Sequence, residues 1–290
     1  MFELSVDGNP DQTKWVLQVD VNPGSVAGGS GGQYFIGDFD GRQFEQDPAT
    51  KAETLWVDYG RDFYAAQSYS DIPENDGRRI WLAWMNNWDY AQKIPTDPWR
   101  SAMTIPREVT IRNTDRGFRL IQKPVQELQQ LRGNHIGIEQ TLLRPPGSIE
   151  LPDFNGKAYE LIAEFDAGDA EEFGIKVRQG GDEQTVIGYD VKKQHLFLDR
   201  RNSGEIDFDT TFASLDQAPL ALENNRIRLH IFVDWSSVEI FANDGEVVIT
   251  DRIFPSPESN NIEFFSEGKT AQLLAADIWE LESVWKKSEN

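Results

Sequence analysis

The 290 residues carry 49 Asp and Glu against 28 Lys and Arg, a formal net charge of −21 that repels nucleic-acid phosphates and anionic membranes and leaves a neutral ligand compatible. There is no cysteine, which excludes disulfides, thiolate metal sites and cysteine nucleophiles, and no apolar run reaches the roughly 18 residues a membrane span needs. At 39% hydrophobic and 11% aromatic composition the chain can pack one large domain or two ordinary ones. The opening Met1-Phe2-Glu3 is too acidic for a secretory signal, which leaves the compartment open.

Short apolar runs separated by turn signals follow at 15–19, 33–36, 54–57, 63–66, 80–85, 101–105 and 108–111, and each reads as a strand. The glycine cluster at 28–32 leads into a strand and lacks the Lys-Ser/Thr ending of a phosphate loop. Residues 123–133 carry the one helical signal: Pro124 suits a first turn, Val125, Leu128 and Leu131 recur at helical spacing, and Gly133 fits just past the end. Strand patterns resume at 159–165, 173–178, 185–190, 195–199, 226–234, 238–242, 247–250, 262–266 and 271–281, with Asn243-Asp244-Gly245 as the clearest hairpin turn. Nine such runs match the strand count of a β-sandwich.

The chemistry-bearing residues concentrate in two stretches. Residues 58–65 (DYGRDFYA) hold two carboxylates, but along an extended strand Asp58 and Asp62 would stand about 13 Å apart, and only a sharp bend at Gly60 could pair them. Residues 81–106 (WLAWMNNWDYAQKIPTDPWRSAMTIP) put tryptophans on a strand end and the long loop after it. Trp84 alternates with Leu82 inside the strand and is expected in the core. Trp88 follows Asn86-Asn87 at the strand's end, where a loop can expose the ring and the Asn87 amide can bond ligand hydroxyls. His135, His195 and His230 show no ligand spacing, residues 38–41 have too few acceptors for a calcium loop, and Ser236-Ser237 lacks a nucleophile elbow. No metal and no cofactor is implied.

These two stretches, with the opening MFEL and residues 236–255, resemble glycoside hydrolase family 32, the fructan hydrolases and invertases. The resemblance implies an all-β fold: the last blades of a five-bladed β-propeller over 1–122, a linker helix over 123–134 and a β-sandwich over 135–290. It also implies a retaining cleavage of β-fructosyl bonds in levan, inulin or sucrose-type sugars, with an Asp nucleophile and a Glu general acid. The family motifs bearing those two carboxylates have no match in this chain, and the Glu motif would fall just before MFEL, so no catalytic residue is assigned. The expected part is a C-terminal portion, inactive alone, whose partner is a missing N-terminal half; an extracellular or periplasmic place suits a fructan hydrolase. By resemblance Asp58 lies beside the sugar next to the scissile bond, Arg61 contacts the same sugar, and Trp88 lines the pocket with Asn87. The Trp99-Arg100-Ser101 segment resembles a family motif whose arginine can anchor the loop through carboxylates or meet a substrate, and the anchoring role is expected of Arg100. The rival reading is a non-catalytic carbohydrate-binding or interaction protein using the aromatic loop or the sandwich face.

Overall fold

The computed structural model describes residues 1–51, 53–151, 154 and 156–285; the end of the expected 135–290 domain lies outside the described residues. The chain divides into two compact units, one of Met1–Val125 with Asp244–Asp251 and one of Gln126–Asn243 with the residues from Arg252 onward. Both are built from β-strands.

The first unit forms strands β1 (Phe2–Val6), β2 (Asn9–Val21), β3 (Gly31–Phe39), β4 (Phe44–Gln46), β5 (Leu55–Trp56), β6 (Tyr64–Ser68), β7 (Ile80–Met85), β8 (Ala102–Met103), β9 (Arg107–Thr114) and β10 (Gly117–Pro124). They make one ten-stranded sheet in the order β4-β3-β2-β1-β9-β7-β6, with β5 on β3, β8 on β7 and β10 on β9. Antiparallel hairpins account for every step except β1 to β9, a parallel pair made through Val6 and Ile111. One residue in two points into the core, so Tyr34 and Ile36 of β3, Trp81 and Ala83 of β7, and Val109 and Ile111 of β9 pack together with Val6, Val16 and Leu120.

Two expectations are corrected here. Period 2 in β7 holds, but the buried face is Trp81, Ala83 and Met85, with Ile80 also buried at the strand's start; Trp84 is only partly buried. The helical signal at 123–133 yields a six-residue 3-10 turn, Gln126–Leu131, with no buried residue. Pro124 instead ends β10, opposite Arg107, and Gly133 lies inside the next strand. A short helix with no face to bury gains little from its own backbone bonds, so the neighbouring strand ladders take its ends.

The second unit continues with β11 (Arg132–Ile138), β12 (Thr141–Leu143), β13 (Ile149–Glu150), β14 (Tyr159–Asp166), β15 (Glu172–Gly180), β16 (Glu183–Asp190), β17 (His195–Asp199), β18 (Leu215–Pro219), β19 (Arg226–Asp234) and β20 (Ser237–Ala242). After β21 (Val247–Arg252), whose residues through Asp251 belong to the first unit, come β22 (Asn261–Glu267) and β23 (Ala271–Leu281). One sheet runs β11-β23-β14-β19-β20 with β12 on β23, and the other runs β13-β22-β15-β16-β17-β18. Phe165 of the first sheet meets Phe173 and Phe264 of the second at ring-centroid distances of 5.4 and 6.3 Å, which fixes the core between them.

Buried charge organises this unit in two places. Arg178, 1% exposed, donates to the backbone carbonyls of Ser259 (2.7 Å), Ser256, Asp234 and Trp235 (3.3 Å each) and Lys157 (3.4 Å), tying several loops to one guanidinium. Glu160 accepts from Arg132 Nε (2.7 Å) and Nη2 (2.6 Å) and bonds His230 Nε2 at 2.6 Å. Burial pushes the Glu160 carboxyl up, but those bonds outweigh it and hold it at about 2.

Replacing Arg178 with Met should destabilise this unit by about 2 to 4 kcal/mol in denaturant melts, because it strands several buried carbonyls at once. Glu160 generates a pH prediction. Its folded pKa lies below the ordinary 4.5, so its contribution is complete above that pH and is lost as pH falls toward 2. Glu160→Gln should therefore cost on the order of 2 kcal/mol at pH 7 and little at pH 2.

Candidate functional site

The 58–62 segment is anchored from within the first unit. Asp58 is 3% exposed, and both of its oxygens are occupied: Oδ1 accepts from the Gly60 (2.9 Å) and Thr250 (2.8 Å) amides, Oδ2 from Arg107 Nη1 (3.0 Å) and the Thr250 hydroxyl (2.6 Å). Arg107 is equally buried and places its guanidinium 4.6 Å from the Phe63 ring centroid, while Nη2 donates to Thr250 Oγ1 at 2.6 Å. Gln122 completes the network by accepting from Arg107 and from the Trp81 indole at 3.2 Å each. The Asp58 carboxylate is thus held by partners inside the unit, at the position where the resemblance implies a carboxylate beside the sugar.

Gly60 has a different job from the bend considered above. The 58–62 backbone runs against 248–250, with Tyr59 donating to Val248 O (2.9 Å) and Asp62 to Thr250 O (3.0 Å). A Cβ on Gly60 would come within 2.2 Å of the Thr250 carbonyl oxygen, so only glycine allows this approach. Asp62 accepts from the buried Tyr90 hydroxyl at 2.7 Å.

Asn87 joins three segments. Its amide nitrogen donates to Arg61 O (2.8 Å), Gly28 O (3.1 Å) and Ser30 O (3.4 Å), and its oxygen accepts from the amides of Asp89 (3.0 Å) and Ser30 (3.3 Å). Asn87 is fully buried, and these bonds hold the Gly28, Ser30 and Arg61 backbones together. Gly29 reaches this hub at φ +62, and a Cβ there would lie 2.0 Å from the Asn87 oxygen. The Arg61 guanidinium lies beside Gly28, where a Cβ would be 3.2 Å from Nη1.

Trp88 is 50% exposed, its amide donates to Ser30 Oγ (3.2 Å), and its ring leans on Trp84 at 4.9 Å. Trp84 in turn contacts Tyr64 edge-on at 6.3 Å. The loop beyond is closed by Thr96 Oγ1 donating to Trp99 O (2.6 Å) and by Arg100 donating to Ile94 O, a backbone carbonyl in place of the carboxylate partners expected from sequence. A cleft of about 470 Å³, lined by Phe2, Glu3, Gln18, Gln67, Arg79 and Trp81, opens in the same unit and was not read from sequence. Sequence reasoning also passed over Arg107 and Thr250. The available signal was Arg107 standing in phase with Val109 and Ile111, a charge on the buried side of a strand that demands a partner.

Residues 1–124 match the model of the glycosyl hydrolases family 32 N-terminal domain, and residues 127–280 match that of the family 32 C terminal. The chain belongs to glycoside hydrolase family 32. It is 48% identical to a levanase of Bacillus subtilis over 98% of its own length and 42% of the relative's, and 37% identical to an extracellular exo-inulinase of Aspergillus ficuum over 98% and 54%. Among solved structures it is similar to the exo-inulinase of Aspergillus awamori, with a TM-score of 0.88 and 36% identity, covering 98% of this chain and 56% of that one. It is also similar to a fructofuranosidase from Schwanniomyces occidentalis in complex with fructosylnystose, with a TM-score of 0.83 and 28% identity over 97% and 59%. The chain thus spans about half the length of these family 32 relatives.

Separating the two tryptophan environments from the buried pair yields a mutational contrast. Asp58→Asn should cost about 3 to 5 kcal/mol of stability by leaving Arg107 uncompensated, while Trp88→Ala should cost about 1 kcal/mol for the lost ring contact. Chemical denaturation of the two variants measures both.

Proposed function

We propose that this chain supplies one wall of a pocket that cleaves β-fructosyl linkages in fructans or sucrose-type sugars. The observation that carries the reading is Trp88: a half-exposed indole on a loop pinned by Asn87 and Ser30, in a family 32 chain whose relatives include a levanase and an exo-inulinase. In this reading Trp88 is the apolar wall and Arg61 a polar contact to the sugar. Asp58 and Asn87 act as positioning residues, Asp58 by fixing the 58–62 segment and Asn87 by holding Gly28, Ser30 and Arg61 together.

The ten-stranded sheet of residues 1–122 would be the last blades of a five-bladed propeller, residues 123–134 the connection, and the two sheets over 135–290 a β-sandwich. The nucleophile and the acid come from family 32 sequence outside these 290 residues, a missing N-terminal half. The cleft lined by Phe2, Glu3 and Arg79 would face that half, since the resemblance puts the acid just before MFEL. The proposed chemistry needs no metal or cofactor.

The chain alone should release no fructose from levan, inulin or sucrose above background, because the general acid by itself is worth about 10² to 10⁴ in rate. Turnover abolished by Asp58→Asn without loss of fold would overturn this assignment. Supplied with the acid- and nucleophile-bearing half of a family relative, it should become active. Trp88→Ala should then lower kcat/KM by the equivalent of about 1 to 3 kcal/mol. An unchanged kcat/KM would remove Trp88 from the pocket.

A further inference from the structure

We propose that Tyr90 is a positioning residue for the cleavage of β-fructosyl bonds, holding Trp88 in place through the bond between its own hydroxyl and Asp62; the inference rests on the reading of Trp88 as pocket wall. Trp88 is half-exposed, so packing restrains its ring less than it would a core residue, and the backbone on either side must set its direction. The residues flanking Trp88-Asp89 are both fastened to one short segment. Asn87 Nδ2 donates to Arg61 O at 2.8 Å, and the Tyr90 hydroxyl donates to Asp62 Oδ1 at 2.7 Å. The turn between them is closed by the Tyr90 and Ala91 amides, which donate to Asn87 O at 3.2 and 2.8 Å. Trp88 therefore sits in a turn clamped at both ends by consecutive residues, Arg61 and Asp62.

The receiving segment is itself fixed. Asp62 donates its amide to Thr250 O (3.0 Å), Arg61 donates its amide to Asp251 Oδ1 (2.8 Å), and the ring of Phe63 lies 4.6 Å from the Arg107 guanidinium. Asp62 and Tyr90 are 0% and 1% exposed, so water does not compete for the bond between them, and a hydroxyl on a carboxylate at this distance is of the strong class. Burying such a pair carries a desolvation cost that an apolar pair of the same volume avoids, so what it adds is direction more than stability. Direction matters at a pocket wall, where a misplacement of about 1 Å can cost about 10² in rate.

The test has two arms. In the full chain labelled with 5-fluorotryptophan, the Trp88 fluorine line is assigned by its loss in Trp88→Phe, and the Trp279 line in the same way. Tyr90→Phe, which keeps the buried ring and removes one oxygen, should displace or broaden the Trp88 line and leave that of Trp279, in the second unit, where it is. Asp62→Asn keeps an acceptor without its charge and should displace the Trp88 line less, in the same direction; it carries this arm if Tyr90→Phe does not fold. A Trp88 line unmoved in every variant that folds would overturn the proposal. In the assembly with the acid- and nucleophile-bearing half, Tyr90→Phe should lower kcat/KM on levan about fivefold or more, and less than about twofold when Trp88→Ala is already present. An equal loss in both backgrounds would leave Tyr90 a stabilising role alone and overturn the proposal. If Trp88→Ala by itself leaves kcat/KM unchanged, the pocket reading fails and this inference with it; if Trp88→Ala lowers kcat/KM and Tyr90→Phe does not, this inference alone fails.

Discussion

The Asp58–Arg107 ion pair is the constraint on which the first unit is arranged. Both side chains are out of water, where an uncompensated charge costs several kcal/mol, so the pair needs partners for its remaining bonding capacity. Thr250 meets much of it, bonding Asp58 through amide and hydroxyl and receiving Arg107 Nη2. Thr250 lies far along the chain, and Asp244–Asp251 accordingly counts with the first unit. The segment closed by this pair includes Arg61, whose carbonyl receives Asn87, and Asn87 sits next to Trp88. A buried charge is thereby linked to an exposed ring through the 58–61 segment and the Asn87–Arg61 hydrogen bond.

The second unit handles buried cations by another route. Arg178 is surrounded by loop carbonyls, and burial lowers its pKa. Arg132 instead lies over the Trp279 ring at 3.9 Å while it pairs with Glu160. In each case the guanidinium's planar fork connects backbone segments or strands that apolar packing alone would leave free to slide. With a net charge of −21, the chain gains from every acid held by a local cation, and the exposed acids oppose association with other polyanions.

Strand positions were legible because period-2 burial is local. The runs at 33–36, 80–85 and 173–178 fall inside β3, β7 and β15. Which face is buried was less legible: β7 offers tryptophans on both sides, and only the neighbours in the sheet decide that Trp81 is interior and Trp84 partly open. The two-residue strand β13 lacks enough residues to show a pattern, while β5 and β8 fall inside the runs at 54–57 and 101–105 but are shorter than them. Trp88 could be read as exposed because Asn86-Asn87 ends the strand before it. The buried settings of Asn87 and Asp58 were not legible, since a polar side chain looks the same in sequence whether it faces a ligand or a loop carbonyl. Their partners, Gly28, Arg107 and Thr250, are distant in the chain.

A crystal structure of this chain assembled with the acid- and nucleophile-bearing half, with fructose bound, tests the account most directly. The account predicts the Trp88 ring in van der Waals contact with the fructosyl ring, within about 4 Å, and Asp58 still bonded to Arg107 and Thr250 without touching the sugar. Fructose bound away from Trp88, or an Asp58 carboxylate turned out of its ion pair onto the sugar, would contradict it.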